Sequence, residues 1–209
     1  MGRVTERNKQ HTRRLIADTA LRLFLARGFD HVTVAEVATA AGVAEKTVYN
    51  YFPTKAQLVF DQDPAVLDGL VAAIRDRAPG ASALAAVRGS LSELADHIGG
   101  SHPPEAQAAF RRMVADSPTL QLHQHMIAAR YERALAVVLA EQTGASPDAA
   151  QPFIASVALV GALRAGFSAR EASGGVGAAI TQALDLLEAG LASYAVAGHD
   201  PRPASRKAR

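Results

Sequence analysis

Residues 33–55 read TVAEVATAAGVAEKTVYNYFPTK, and this stretch decides the fold of the N-terminal part of the chain. Thr33 is a natural helix N-cap, and Glu36, three residues later, completes a capping box. Gly42 ends this helix, because glycine readily adopts the positive φ needed just beyond a helix C-terminus. A short amphipathic segment, residues 45–52, follows the turn. The pattern predicts a helix, a tight turn and a second, shorter helix.

The second of these helices has a buried side and a polar side. Val48 and Phe52 are four residues apart, so both point towards the core. The side chains left outside are those of Glu45, Lys46, Thr47, Tyr49, Asn50 and Tyr51. Lysine, threonine, asparagine and tyrosine carry the hydrogen-bonding groups that base edges and phosphates require. We interpret the stretch as a helix-turn-helix in which residues 45–52 form the recognition helix.

The same residues resemble a known family. The pattern AxxAGVAxxTVYxYFxxKxxL from Ala38 to Leu58, with LxLFLxxGFxxVTVxxVA from Leu21 to Ala38, resembles the TetR family of bacterial transcriptional repressors. The rest of the chain is similar to the family only in being helical and of suitable length. The resemblance implies a homodimer that blocks a palindromic DNA operator. An unknown small molecule bound in the body would then pivot the heads away from successive major grooves.

The resemblance also implies a role for each matching residue. The positions that contact phosphates are occupied by Thr33, Tyr49, Tyr51 and Lys55. The positions that face bases are occupied by Glu45, Lys46, Thr47 and Asn50. One departure is Ala44, where the family often has a serine or threonine; alanine cannot cap, so the recognition helix is weaker by about 1 kcal/mol. Glu45 and Lys46 also differ from the commoner small or basic pair, so the operator sequence does not follow from that of a relative.

Composition excludes several classes of function. The chain has no cysteine, which excludes disulfides, cysteine metal sites and thiol chemistry. Its N-terminus is charged and lacks the apolar segment of a signal peptide. The longest apolar run, residues 153–163, is too short to span a bilayer. We therefore expect a cytoplasmic protein without a membrane partner.

The charge is distributed unevenly along the chain. Residues 1–60 hold nine basic and five acidic residues, whereas residues 61–200 hold nine basic and fifteen acidic residues. A basic head on an acidic body suits a protein that meets a polyanion with one end only.

The chain is predicted to be all-α, with about nine helices. Alanine is abundant and no strand pattern competes. We expect a helix-turn-helix domain at residues 1–55, a helical ligand-binding and dimerisation domain at 56–198 and a disordered tail at 199–209. Asp63-Pro64 is predicted to break or bend the fourth helix, because proline favours the first position of a new helix.

The first ten residues are predicted to be a mobile arm. The basic residues of the arm and the start of the first helix are Arg3, Arg7, Lys9, Arg13 and Arg14. They either reach the minor groove or backbone of DNA or stay in solvent, and the sequence leaves both readings open.

The last two long helices, predicted at about 147–170 and 176–197, are apolar over much of their surface. Such helices must be covered on most sides, which favours a dimer interface of two helices from each chain over an ordinary core. The predicted interface residues are Phe153, Val157, Val160, Gly161, Leu184, Leu187 and Leu191.

The body between head and interface could hold an apolar ligand pocket with a few polar groups. The candidate lining residues are His97, Phe110, Met113, His123, Met126, Ile127, Arg130, Tyr131 and Phe167. For each of them an ordinary core or surface position is the competing interpretation.

No enzyme, cofactor or metal site is predicted. His123 and His125 lie about 200° apart around a helix, so they cannot bind one metal ion. No set of serine, histidine and aspartate can be placed together, and no phosphate-binding glycine loop is present. The alternatives are an architectural DNA-binding protein without a ligand, or a small-molecule-binding protein that no longer reads DNA. An activator instead of a repressor also stays open.

Overall fold

The structure, a computed structural model, describes residues 2–78, 80–101, 103–146, 149–168 and 175–190. Within these ranges the chain is all-α, as predicted, with nine α-helices and one 3-10 turn at Lys55–Leu58. The helices are α1 (Gly2–Arg27), α2 (Val34–Ala41), α3 (Glu45–Tyr51), α4 (Asp63–Arg75), α5 (Ala83–Ser101), α6 (Pro104–Asp116), α7 (Pro118–Thr143), α8 (Ala150–Ser168) and α9 (Gly175–Ala189). None of the helices in these ranges is both long and apolar enough to cross a bilayer.

The N-terminal arm differs from the prediction. The mobile segment expected at residues 1–10 is helical from Gly2 onwards and continues without interruption into α1. Residues 3–14 contain no proline or glycine and are rich in arginine, glutamate, lysine and glutamine, which lose little rotamer freedom in a helix. No residue in this stretch therefore breaks the helix, which begins at Gly2.

The predicted break before α4 is confirmed. A 3-10 turn at Lys55–Leu58 follows the helix-turn-helix, and α4 begins only at Asp63, with Pro64 in its first turn. Proline has no backbone N–H, and the first turn of a helix is the place where this donor is not needed. Phe60, Asp61 and Asp63 consequently lie in or just after the segment that connects the head to the body.

Two apolar cores organise the chain. The first is formed by α1, α2, α3 and the 3-10 turn, and it is completed by Met113 and Val114 from α6 and Leu120 from α7. The second is formed by α4, α5, α7, α8 and α9. The boundary predicted at residue 55 thus separates the DNA-binding unit from residues that close its core.

Candidate DNA-binding surface and its link to the body

Both ends of α2 are built as the sequence predicts. The Thr33 N–H donates to Glu36 Oε2 at 2.7 Å, and the Glu36 N–H donates to Thr33 Oγ1 at 3.2 Å. Gly42 has φ 68°, and the Val43 N–H beyond it donates to the Ala38 carbonyl at 3.0 Å. The capping box fixes the start of α2, and the left-handed Gly42 sets the direction in which the chain leaves α2 towards α3.

Glu36 carries a strong electrostatic preference for its charged form. The backbone N–H of Thr33 and the guanidinium of Arg27, 2.7 Å away, lower the pKa of Glu36 to about 2. The carboxylate therefore remains charged at the start of α2, where a negative charge complements the helix dipole.

The helix α3 presents its polar side chains outwards. Val48 is fully buried and Phe52, just past its end, is 1% exposed, so both belong to the first core. The base-facing residues predicted from the sequence lie together on the outer side: Glu45, Lys46 and Asn50 are exposed, and Thr47 is half-buried. Ala44 has the extended conformation of an N-cap and makes no side-chain cap. The helix therefore begins without the hydrogen bond that a serine there would supply.

The four predicted phosphate-binding residues differ in their exposure. Thr33 and Tyr49 are exposed, whereas Tyr51 and Lys55 are half-buried. The Lys55 ammonium lies 4.2 Å from the ring centroid of Phe29, in cation-π contact. Burial lowers the pKa of Lys55. The aromatic ring, together with nearby acidic groups, thus takes the place of solvent around this cation.

Arg13, for which the sequence predicts either DNA or solvent as its surroundings, instead contacts other parts of the DNA-binding unit. Its guanidinium donates to the Tyr51 carbonyl at 3.1 Å and to the Asp61 carbonyl at 3.2 Å. The same group lies 4.4 Å from the ring centroid of Phe52. The signal was available in the sequence, since Arg13 is three residues before the buried Ile16 and therefore on the inner side of α1.

A second set of contacts joins the segment from Phe60 to Asp63, at the start of α4, to α7. Asp63, whose side chain is 11% exposed, forms an ion pair with Arg130. The Tyr131 hydroxyl donates to the Asp63 carbonyl at 2.7 Å. The His123 ring stacks on Phe60, with centroids 5.4 Å apart. We call this set of contacts the joint.

The joint contains four of the predicted ligand-binding residues. They are Phe110, His123, Arg130 and Tyr131, and Phe110 lies edge-on to Phe60 with the centroids 6.4 Å apart. Burial lowers the pKa of His123 and raises the pKa of Tyr131 far above its usual range. Both shifts favour the neutral forms of the two rings. Asp63 and Arg130 form the ion pair of the joint, and the Oδ1 atom of Asp63 is buried without a hydrogen-bond partner among the described residues.

The other predicted ligand-binding residues do not gather at one place. Met113 belongs to the first core, Ile127 packs against the second, and Met126 is 62% exposed. The side chains of His97 and Phe167 lie outside the described part of the chain. An open depression of about 380 Å³ is lined by residues of α1 and α2 and by none of the predicted set. The expectation of a single pocket is therefore corrected for Met113 and Met126, which point into a core and into solvent.

The predicted dimer residues divide between an outer surface and a core. On α8, Phe153 and Val157 are exposed together with Gly161 and with Ile154, which is 64% exposed. We call these four residues the α8 surface. The prediction is corrected for Val160 and Leu184, which are 2% and 1% exposed because α8 packs between α7 and α9.

The two remaining dimer residues lie towards the end of the chain. Leu187 is half-buried and packs against the second core. Leu191 lies outside the described residues. Leu184 and Leu187 are therefore the described residues among those predicted for dimerisation on α9, and neither is exposed.

Two family models match the chain, one in its N-terminal part and one in its C-terminal part. Residues 16–61 match the model of the bacterial regulatory proteins of the tetR family, and residues 81–192 match the model of the MftR C-terminal domain. The second match covers more than half of the chain and includes α5 to α9.

Individual proteins align over long parts of the chain. A candidate mycofactocin biosynthesis transcriptional regulator, MftR, from Mycobacterium tuberculosis is 26% identical over 190 residues, which cover 88% of this chain and 93% of MftR. The HTH-type transcriptional regulator TcmR of Streptomyces glaucescens is 26% identical over 147 residues, 68% of this chain and 65% of TcmR. Among solved structures, the SmeT–triclosan complex has a TM-score of 0.60 at 18% identity and covers 92% of this chain and 98% of SmeT. That structural likeness shows a common fold.

Proposed function

Because the chain belongs to the tetR family of bacterial regulatory proteins, we propose that it is a transcriptional repressor which binds a palindromic operator as a homodimer and is released by a small molecule. The observation that carries the proposal is the outer side of α3, where Glu45, Lys46 and Asn50 are exposed around a buried Val48. A helix with this arrangement can enter the major groove of DNA.

Each exposed group on and beside α3 has a chemical counterpart in DNA. We assign Lys46 to guanine and Asn50 to adenine, because these are the bases whose edges match an ammonium and an amide. Glu45 accepts from cytosine or repels other bases. Thr47 contacts a base edge at the same surface. These four residues supply the sequence preference of the head.

Phosphate contacts supply most of the affinity. We assign them to Thr33, Tyr49, Tyr51 and Lys55, the positions that match the phosphate-contacting residues of the family. The Lys55 ammonium packs against the Phe29 ring, and its N–H groups can donate hydrogen bonds to a phosphate. These contacts fix the position of α3 in the groove and are the same for every sequence.

The homodimer is assigned to the α8 surface. One head offers too few base contacts for tight and specific binding, so a second head is required. Phe153, Ile154 and Val157 are exposed apolar side chains on one side of α8, and Gly161 leaves room for close approach of another helix. A partner helix packed there would remove these side chains from water and pair the heads.

The joint is the proposed point of control. Asp63 is largely buried, and taking away one partner of a buried ion pair costs about 3–5 kcal/mol. Arg130 is half-exposed, so the cost here is smaller than in a fully buried pair. Each 1.4 kcal/mol corresponds to about a tenfold change in an equilibrium. A ligand that draws Arg130 or Tyr131 away from Asp63 would therefore shift the position of the head appreciably.

Selection of bound fragments from genomic DNA tests the DNA-binding part of this proposal. The expected result is one palindromic sequence with half-sites about one helical turn apart. Recovery of fragments with no common sequence would favour an architectural protein, and recovery of none would favour a protein that has lost DNA binding. Sites beside biosynthetic genes would indicate that this chain resembles MftR in the kind of genes it regulates as well as in sequence.

Three variants separate the assigned roles once an operator is known. Lys55→Ala should weaken binding to all sequences and make the salt slope shallower by about one unit, because one phosphate contact is lost. Asn50→Ala should relax the preference at one base pair and leave the slope unchanged. Thr39→Ala, at an exposed position on α2, is the control. Fluorescence anisotropy over a range of salt concentrations measures affinity and slope together. If the Asn50 variant lost affinity equally for every base, its assignment to a base would be wrong.

A further inference from the structure

Arg13 connects three parts of the DNA-binding unit. From α1 its guanidinium reaches the Tyr51 carbonyl at the end of α3 and the Asp61 carbonyl at the start of the joint. We infer that Arg13 is a positioning residue for DNA recognition, which holds the C-terminal end of α3 against the segment that leads into the body. This inference rests on the proposed function, since it names a residue that serves DNA recognition without touching DNA.

The need for such a residue follows from the shortness of α3. The helix has seven residues, its N-cap Ala44 makes no side-chain hydrogen bond, and its last turn contains no basic residue. Short helices are marginal without external contacts, and the last carbonyl groups of a helix have no partner within it. Arg13 supplies from α1 both the missing hydrogen bond and the positive charge that a helix C-terminus favours.

The geometry uses properties that belong to arginine alone. One guanidinium donates through Nη1 to Tyr51 and through Nη2 to Asp61 while its carbon lies 4.4 Å from the Phe52 ring centroid. A planar fork can make both bonds and stack on the ring at the same time, whereas a lysine ammonium is a single point. The contact therefore fixes the orientation of α3 as well as its distance from the joint.

The same geometry distinguishes Arg13 from its neighbours. Arg13 is half-buried and two of its donor groups are directed inwards, whereas Lys9 and Arg14 are exposed. Tyr51 is one residue from Asn50 and two from Tyr49, so an anchored Tyr51 carbonyl fixes the part of α3 that carries a base-reading and a phosphate-binding side chain. Asp61 is two residues before Asp63, so the anchor also reaches the joint.

Arg13→Lys provides the sharpest test, because it keeps the charge and removes the fork. Operator binding by the full chain would be measured over a range of salt concentrations, with Arg14→Lys as the matched control. We expect Arg13→Lys to weaken binding about tenfold or more with an unchanged salt slope, and Arg14→Lys to bind like the wild type. If Arg13 instead contacted a phosphate, Arg13→Lys would bind nearly as well as the wild type. Arg13→Gln would then make the slope shallower by about one unit.

A second measurement does not require DNA. Amide hydrogen exchange of the free protein should be faster in Arg13→Lys at Phe52, whose N–H donates to the Val48 carbonyl at the end of α3. Arg14→Lys should leave this exchange unchanged. Equal exchange at Phe52 in all three proteins would overturn the inference. If no operator were found, the proposed function would fail while the exchange experiment would still decide the role of Arg13 in holding α3.

Discussion

Glu36 shows how a single exposed side chain organises the DNA-binding unit. Its carboxylate accepts from the Thr33 N–H at 2.7 Å and pairs with Arg27, so it joins the start of α2 to the end of α1. These contacts favour the charged form and lower the pKa of Glu36 to about 2. The charge on Glu36 therefore contributes to stability at neutral pH.

The pH dependence of this contribution can be predicted. A carboxyl group whose pKa is lower in the folded state stabilises the fold above its ordinary pKa and loses that contribution as the pH falls. Wild-type protein should be more stable than Glu36→Gln at pH 7, and the difference should shrink from about pH 4.5 and vanish near pH 2. Thermal unfolding followed by circular dichroism at several pH values measures this, with Glu93→Gln on α5 as the control. A difference that stayed constant down to pH 2 would mean that the charge of Glu36 has no part in it.

At the scale of the element, α3 is a helix of seven residues that begins without a side-chain cap. Helices such as α2 and α7 begin at Thr33 and Ser117, whose side chains accept from backbone N–H groups, whereas α3 begins at Ala44. Ala44 has φ −71° and ψ 146°, which is the extended conformation that a capping serine adopts. The site is thus ready for a cap that the sequence does not provide.

Replacing Ala44 by serine should therefore stabilise α3. A serine N-cap adds about 1 kcal/mol relative to alanine, which corresponds to about 2–4 °C in the melting temperature of a protein of this size. Ala40→Ser, at an exposed position within α2, is the matched control and should give no increase, because serine is a poorer helix former than alanine. Differential scanning calorimetry measures both changes. An equal rise in the two variants would show that capping is not its cause.

Local signals explain which elements could be predicted from the sequence. The capping box at Thr33, the stop at Gly42 and the break at Asp63-Pro64 each depend on residues within a few positions of one another. The contacts of Arg13 with Tyr51 and of Arg130 with Asp63 join residues 38 and 67 positions apart. Nothing local marks these pairs, so the sequence predicts DNA or solvent around Arg13 and a ligand pocket or the surface around Arg130. The charged residues 3–14 were equally misleading, since the same composition suits a mobile arm and a solvent-exposed helix.

At the scale of the whole molecule, the α8 surface is an apolar surface that one protomer leaves uncovered. It places Phe153 and Ile154, 51% and 64% exposed, beside Val157 and Gly161. On α9 the apolar residues Ile180 and Leu184 are buried within the protomer, and the exposed Asp185 and Glu188 pair with Arg88 of α5. The described part of α9 therefore offers a partner less apolar surface than the sequence pattern predicted.

A charge on the α8 surface should separate the protomers. Phe153→Glu would bring a carboxylate into the apolar contact, where an unpaired charge is strongly unfavourable. The variant should be monomeric by sedimentation velocity at concentrations where the wild type is dimeric, and it should bind the palindrome more weakly because each head binds alone. Leu122→Glu, at a position 65% exposed on α7, is the control and should remain dimeric. If Phe153→Glu remained a dimer, the protomers would meet through another surface.

The completion of the first core by Met113, Val114 and Leu120 has a consequence for the exchange of parts between proteins of this kind. Helix-turn-helix units are often treated as interchangeable cassettes, to be joined to a new sensor at the end of the unit. In this chain such a cut would leave the first core to be closed by a foreign α6. A working hybrid would have to include, together with the head, the side of α6 that packs in the first core and the first turn of α7. Because α6 packs in the first core, a change in the packing of α6 can also alter the head through direct contact. It need not act through the segment that connects the head to the body.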